Sequence, residues 1–147
     1  MVYKVTVLTE EHKEFTAFLN EQIRAYNNEH SHSHRASREA GAIQPLNIMV
    51  TDDEQQWLGG LTAEIYWDWM EIHKFWFQDT YRGQGLGGQL LAQAEEVAKQ
   101  MGATKALLTT YEFQARTFYE AKGYQVVGEI KDYPPGSSYY TMVKVFT

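Results

Sequence analysis

The sequence contains no cysteine. This absence excludes a disulfide framework, a thiolate metal site and a cysteine nucleophile. No stretch approaches the roughly 18 consecutive apolar residues that a membrane-spanning helix requires. The residues that follow Met1 also lack the basic start and the apolar stretch of a signal peptide. We therefore expect a cytoplasmic protein without a membrane partner.

The chain also has fewer positively charged than negatively charged residues. The 147 residues include 13 Lys and Arg against 19 Asp and Glu, a formal net charge of −6. This balance argues against nucleic acid as a partner, and any anionic ligand must be held locally. Apolar residues are plentiful, because 44% of the chain is hydrophobic and 14% aromatic. We expect residues 1–147 to form a single domain with one core.

Hydrophobic periodicity predicts an α+β domain in the order β-α-β-β-β-α-β-α-β-β. Residues 3–8 are predicted to form the first strand, and Thr9 is predicted to cap a helix after it. Residues 27–41 are polar and predict a loop or a short irregular helix. Later strands are predicted at 46–51, 57–66, 70–77, 105–110, 124–130 and 139–146, and later helices at 86–101 and 113–122.

A glycine-rich stretch separates a predicted strand from the longest predicted helix. It reads Arg82-Gly83-Gln84-Gly85-Leu86-Gly87-Gly88. Unpaired N–H groups and the helix dipole attract an anion at such a position, and glycines let the backbone approach a phosphate closely. The stretch therefore predicts an anion-binding turn.

The glycine spacing also matches the dinucleotide fingerprint, Gly83-x-Gly85-x-x-Gly88. That fingerprint should follow the first strand of a parallel unit, whereas hairpin-connected strands precede the glycines here. A Walker-type loop is excluded because no Gly-Lys-Ser/Thr ending is present. An NAD-binding oxidoreductase is therefore the less favoured alternative.

Two motifs carry a family resemblance. Residues 77–87 contain Arg82-x-x-Gly85-x-Gly87, and residues 113–124 contain an Ala, then Phe118-Tyr119, then Gly123-Tyr124. The pair resembles the two signatures of the Gcn5-related N-acetyltransferases, the GNAT family. The resemblance implies a GNAT fold, a mostly antiparallel twisted sheet of about seven strands that is splayed between strands four and five and flanked by helices.

The resemblance also implies that acetyl-coenzyme A binds where strands four and five separate, with no metal. Its pantetheine arm would pair with backbone groups of Phe75 and Phe77, and its pyrophosphate would lie on the glycine-rich turn. Glu112 stands where many relatives carry an Asn that binds pantetheine. The implied cofactor-binding residues are Phe75, Phe77, Arg82, Gly83, Gln84, Gly85, Leu86, Gly87, Gly88, Gln114 and Phe118.

Acetyl transfer to an amine needs a proton acceptor and, for the leaving thiolate, a proton donor. The resemblance implies that Tyr119 is the general acid. The resemblance also points to Glu71 as the base, because its place six residues before Phe77 on a predicted strand resembles that of the catalytic carboxylate in histone-acetylating members of the family. Strand alternation would put Glu71 on one face with His73, Phe75 and Phe77, where aromatic neighbours could raise its pKa. The alternatives for the base are His73, Glu64, Asp68 and an ordered water.

The segment His30-Ser31-His32-Ser33-His34 suggests a metal site at first sight. Alternating imidazoles in a polar stretch lack the fixed geometry and further ligands of a closed site, so a solvated loop is expected. In the family, this segment borders the acceptor pocket.

We expect an N-acetyltransferase that moves the acetyl group of acetyl-coenzyme A to a primary amine of a small molecule or peptide by direct attack. A non-catalytic acyl-coenzyme A sensor or interaction module is the alternative from another class. Small members of the family are commonly dimers, so a homodimer is left open.

Overall fold

The computed structural model describes residues 2–147. Its helices are α1 (Lys13–His30), α2 (His32–Ser37), α3 (Leu86–Gln100) and α4 (Arg116–Ala121), with a short 3-10 helix at Asp79–Tyr81. Its strands are β1 (Gln44–Thr51), β2 (Trp57–Tyr66), β3 (Trp69–Phe77), β4 (Lys105–Tyr111), β5 (Gln125–Lys131) and β6 (Ser138–Val145). The chain divides into two compact units, one ending at Glu39 and one of Ala40–Thr147. The single domain expected for residues 1–147 stays a prediction.

The first unit is helical. The side chain of His12 caps α1 by accepting the N–H of Phe15 at 3.1 Å, so the helix begins at Lys13 and Thr9 is not its cap. The predicted polar loop contains the short helix α2, capped by the Ser31 hydroxyl. Neither α1 nor α2 contains a buried residue. No helix within residues 2–147 is long and apolar enough to cross a membrane.

The first predicted strand is wrong, because residues 3–8 adopt no strand. Alternation of apolar and polar side chains favours an extended backbone, but a strand exists only where a neighbour completes its hydrogen bonds. The side chains of Val5 and Val7 are exposed. The sheet accordingly has six strands where the sequence predicts seven.

The second unit contains the sheet, in the order β1-β2-β3-β4-β6-β5. Every neighbouring pair is antiparallel except β3 and β4, which are parallel and are connected through α3. Trp67 and Asp68 both have positive φ, as a tight two-residue hairpin turn requires. The predicted α+β class is confirmed, and the six later strands form within about two residues of their predicted bounds.

One face of the sheet packs against α3. Alternate residues of the central strands point to this face, together with one stripe of the helix. The most deeply buried side chains of this core are Ala63, Met70, Leu91, Ala94, Ala98, Ala106 and Met142. The opposite face of the sheet therefore carries the polar residues of the same strands.

A β-bulge changes the side-chain pattern of β3. Ile72 pairs with Ala63 and Lys74 pairs with Thr62, so His73 is an extra residue on β3. Residues beyond a bulge change face relative to simple alternation. Phe75 consequently packs against the core, and the expectation that Glu71 shares a face with Phe75 and Phe77 is wrong.

Strands β3 and β4 separate soon after they meet. Their pairing covers Trp69–Glu71 of β3 and Lys105–Leu107 of β4. Beyond that point β3 continues to Phe77 and β4 to Tyr111 without pairing to each other. The separation opens the sheet between the fourth and fifth predicted strands, where the family resemblance implies a splay.

Candidate active site

A cleft of about 970 Å³ opens between the separated parts of β3 and β4. The glycine-rich turn and α4 complete its walls. The predicted residues that line it are Phe75, Phe77, Arg82, Gly83, Gly85, Gly87, Gly88, Gln114, Phe118 and Tyr119. Gln84, Leu86 and Glu71 are not among its lining residues, and the Gln84 side chain instead donates to the carbonyl of Thr80. The cleft therefore brings both sequence motifs together.

The glycine-rich turn is shaped to receive an anion. Gly83 and Gly85 have φ of 76° and 81°, a left-handed backbone that favours glycine. Gly85 is the N-cap of α3, so the N–H groups of Leu86, Gly87 and Gly88 lie in its first turn, where no helical carbonyl can accept them. A Cβ on Gly87 would lie 3.3 Å from the Phe77 ring. This backbone fits the pyrophosphate of acetyl-coenzyme A.

Arg82 supports the turn through its own contacts. Its Nε donates to the carbonyl of Phe77 at 2.9 Å, and its guanidinium pairs with Asp79 at 2.8 Å. The guanidinium also lies 5.8 Å from the ring of Trp76. Because these partners already engage it, Arg82 is better placed to brace the turn than to supply free positive charge.

Lys122 is a cleft residue that sequence reasoning missed. It follows the end of α4, and its Nζ lies 2.8 Å from where a Cβ on Gly88 would be. The ammonium therefore stands over the start of α3, where it adds positive charge to that of the helix dipole. No local pattern in the sequence links these two positions, because tertiary packing of α4 beside α3 creates the contact.

Gln114 organises the end of β4. Its Oε1 accepts the backbone N–H of Tyr111 at 2.9 Å and the hydroxyl of Thr110 at 3.3 Å. The side chain thus closes the turn that leads from β4 towards α4, and it borders the cleft while holding that turn.

Tyr119 lies on α4 with only 7% of its surface exposed. Its ring contacts those of Phe75 and Phe118, with centroids 6.5 Å and 5.2 Å away. Burial raises the pKa of Tyr119 to about 12. The phenol is therefore protonated throughout the neutral range and is able to donate a proton within the cleft.

Four polar side chains form a connected group on the face of the sheet opposite α3; we call Glu64, Tyr66, Glu71 and His73 the His73 cluster. The Tyr66 hydroxyl donates to Glu71 at 2.9 Å, and burial, together with this carboxylate, raises the pKa of Tyr66 to about 12. His73 Nε2 lies 2.7 Å from a Glu64 oxygen, and its Nδ1 lies 3.6 Å from Glu71. His73 is the member that lines the cleft.

Asp68 does not line the cleft and is held by residues at the start of β4. Its carboxylate accepts the Thr104 hydroxyl at 2.7 Å and pairs with Lys105 at 3.3 Å. The hydrogen bond from Thr104 is the main cause that lowers the pKa of Asp68. These contacts fasten the β2–β3 turn to the start of β4, so the geometry does not favour Asp68 as the base.

The histidines at 30–34 belong to the helical unit. His30 Nδ1 lies 2.9 Å from the carbonyl of Tyr26, and the two rings stack with centroids 4.0 Å apart. His34 Nδ1 lies 2.8 Å from the Ser31 hydroxyl. In the part of the chain that the structure describes, no three His, Asp or Glu side chains are grouped to hold a metal ion.

The topology also bears on the dinucleotide alternative. The glycine-rich turn follows β3, the second strand of an antiparallel hairpin and the third strand of the sheet. A dinucleotide fingerprint belongs after the first strand of a parallel βαβ unit. The structural context that would support NAD binding is therefore missing.

Comparisons with known proteins agree with this geometry. The model of the acetyltransferase (GNAT) family matches residues 10–124. Blasticidin-S acetyltransferase of Streptomyces morookaense is 33% identical over 129 residues, which cover 84% of this chain and 95% of that protein. The crystal structure of an acetyltransferase from Bacillus cereus ATCC 14579 has a TM-score of 0.79 at 25% identity, covering 96% of this chain and 98% of that one.

A further structure shares the fold. It is an acetyltransferase of Bacillus anthracis str. Ames, named for streptothricin and solved in complex with acetyl coenzyme A. Its TM-score is 0.61 at 20% identity, over 78% of this chain and 68% of that one. Because the family model covers residues 10–124 and a 33% identical relative spans 84% of the chain, this protein belongs to the GNAT family of acetyl-coenzyme A-dependent N-acetyltransferases.

Proposed function

We propose that this enzyme acetylates a primary amine of a small cationic molecule by direct attack on the thioester of acetyl-coenzyme A. One observation carries the proposal: a single cleft has the anion-binding turn on one wall and His73, held by two carboxylates, on another. The first feature suits the donor, and the second suits an amine that must lose a proton.

The donor side is built mainly from backbone. The N–H groups of Gly87 and Gly88 and the ammonium of Lys122 would hold the pyrophosphate. From residue 72 to Phe77, β3 has no partner on its β4 side, which leaves an open edge for the amide groups of the pantetheine arm. When bound, acetyl-coenzyme A supplies an activated acetyl group, and the protein's part is to position it.

Tyr119 is the proposed acid. The new amide bond forms between the amine nitrogen and the acetyl carbon while the carbon–sulfur bond breaks, so the sulfur leaves as a thiolate. Because the pKa of Tyr119 is raised, its phenol still carries a proton at neutral pH and can donate it to the sulfur as negative charge develops there. The buried position of Tyr119 against Phe75 and Phe118 supports this role.

His73 is the proposed base, in place of the Glu71 that the sequence favours. His73 lines the cleft, whereas Glu71 lies behind it and is held by Tyr66. Glu64 and Glu71 are therefore positioning residues that fix the imidazole. Their two carboxylates also favour a cationic acceptor over a neutral or anionic one.

Blasticidin S is the first acceptor to test, because the relative named for it is 33% identical over 84% of the chain. The experiment follows release of free coenzyme A from acetyl-coenzyme A, with and without the amine. We expect release only when the amine is present, and an acetylated product by mass spectrometry. Stabilisation by acetyl-coenzyme A in thermal unfolding without release for any amine of a broad panel would favour the non-catalytic sensor.

A further inference from the structure

Four aromatic side chains lie close together where the end of β4 meets the turn between β5 and β6. Tyr111 stacks on Phe113 with ring centroids 5.4 Å apart and an interplanar angle of 9°. The ring of Tyr139 lies 4.8 Å from Tyr111 and 5.5 Å from Tyr133. We call these four residues the aromatic platform.

The aromatic platform lies outside the core and exposes two of its four rings. Phe113 is 68% exposed and Tyr133 is 52% exposed, whereas Tyr111 and Tyr139 are half-buried, and none of the four belongs to the buried cluster against α3. A contiguous group of large exposed aromatic rings is unfavourable in water, and such groups commonly mark a binding surface.

The loop that carries Tyr133 is tightly hydrogen-bonded. The Tyr133 N–H donates to the carbonyl of Ser137, and the Ser137 N–H donates to the carbonyl of Pro134. The Asp132 carboxylate accepts the N–H of Gly136 at 2.9 Å. These bonds fix the backbone of the loop that carries Tyr133 before any ligand arrives, so little ordering of the backbone is required on binding.

Strand register connects the aromatic platform to the His73 cluster. Glu71 pairs with Leu107, and Tyr111 lies four residues further along β4 and pairs with Tyr139. Paired residues share a face, and so do residues two or four apart on one strand. Glu71 and the platform therefore lie on the same face, about 13 Å apart along the strand direction.

The surface between them is open. Thr109 stands between Leu107 and Tyr111 on that face, and its side chain is exposed and lines the cleft. Phe113 lines the cleft as well, so the platform is continuous with the site where the amine reacts.

We propose that the aromatic platform binds a planar unsaturated ring of the acceptor by stacking. Preferred acceptors then combine a primary amine, which reacts beside His73, with a planar ring at the other end of the molecule. This inference rests on the proposed function, because it assigns the other end of the same acceptor.

The test compares two primary amines that differ by a ring, 9-(6-aminohexyl)adenine and hexylamine. Two readouts are measured: kcat/KM from coenzyme A release, and saturation-transfer NMR on the adenine ring protons. The variants are Tyr133→Leu, which removes an exposed ring, and Tyr133→Phe, which retains it. Trp57→Leu is the matched control, because Trp57 is 76% exposed and lies outside the platform.

We expect the wild type to favour the adenine compound over hexylamine at least tenfold in kcat/KM. Tyr133→Leu should reduce that ratio about fivefold through KM, while Tyr133→Phe and Trp57→Leu should keep it. The proposal is overturned if the ratio is the same in the wild type and in Tyr133→Leu. It is also overturned if Tyr133→Leu converts a dimer to a monomer in sedimentation, because the platform would then be an interface between copies.

The two proposals fail in distinguishable ways. Turnover of both amines at equal efficiency would remove the platform proposal and keep acetyl transfer. Absence of turnover for every amine, with saturation transfer to adenine that Tyr133→Leu abolishes, would keep the platform as a ring-binding site and remove the proposed acetyl transfer to a small amine.

Discussion

The two sides of the cleft differ in the groups they present to a ligand: one presents mainly backbone and the other mainly side chains. The donor side that we propose consists of backbone, namely the N–H groups at the start of α3 and the open edge of β3, with Lys122 beside them. The acceptor side that we propose consists of side chains, the His73 cluster and the aromatic platform, which strand register brings to one face. Backbone contacts do not depend on side-chain identity, whereas side chains can differ between enzymes that act on different acceptors.

The largest expected effect is on the acceptor side. Replacing His73 by Gln removes the proposed base, and we expect kcat to fall about 100-fold with the KM for acetyl-coenzyme A unchanged. Steady-state release of coenzyme A measures both constants. The matched control is His32→Gln in the helical unit, where no loss is expected. A kcat within about threefold of the wild type would transfer the role to water or to Glu71.

A smaller loss is expected for the proposed acid. Tyr119→Phe keeps the ring packed against Phe75 and Phe118 but removes the proton, so kcat should fall about tenfold or more with little change in donor affinity. Tyr3→Phe, at an exposed position, controls for loss of a phenol elsewhere. Unchanged turnover in Tyr119→Phe would leave that residue a packing role alone.

A substitution on the proposed donor side should instead change the KM for acetyl-coenzyme A. A Cβ on Gly87 would meet the Phe77 ring at 3.3 Å and the Phe118 ring at 3.4 Å, so Gly87→Ala must displace the wall that faces the helix start. We expect the KM for acetyl-coenzyme A to rise about fivefold, with kcat nearly unchanged. Gly128→Ala is the matched control, because its Cβ would meet only Thr141 at 3.8 Å. An unaltered donor KM would contradict the assignment of this turn.

A separate expected effect concerns stability at high pH rather than turnover. Burial raises the pKa of Tyr119 from 10.0 in the unfolded chain to about 12 in the folded protein. The unfolded chain therefore loses this proton first, and the free energy of unfolding should fall as the pH rises from 10 to 12. Tyr119→Phe should remove about 1.4 kcal/mol of the fall between pH 8 and pH 11. Urea unfolding at these two pH values measures it, and identical pH dependence in both proteins would argue against the raised pKa.

The position of the glycine-rich turn could be predicted from the sequence because its features are local. Gly83, Gly85 and Gly87 lie together at the start of a helix, and Tyr119 belongs to a contiguous motif, so the sequence places all four before the structure shows them lining one cleft. The bulge that makes His73 an extra residue on β3 could not be predicted from the sequence. It depends on the pairing of Ile72 with Ala63, which is set by the register between two strands. Lys122 reaches Gly88 only through tertiary packing.

The prediction of a first strand was wrong for a related physical reason. Alternation in residues 3–8 describes what an extended segment could bury, but it does not supply a hydrogen-bonded neighbour. The aromatic platform shows the same limit. Tyr111 and Phe113 are close in sequence, whereas Tyr133 and Tyr139 join them only through the register of β4 and β6 and the turn before it.

The division of the cleft into two sides is tested most directly by full two-substrate kinetics on His73→Gln and Gly87→Ala, with blasticidin S or the best amine found as acceptor. We expect a crossed result: His73→Gln lowers kcat and leaves the KM for acetyl-coenzyme A unchanged, and Gly87→Ala raises that KM and leaves kcat nearly unchanged. Changes in the same constant for both variants would contradict it.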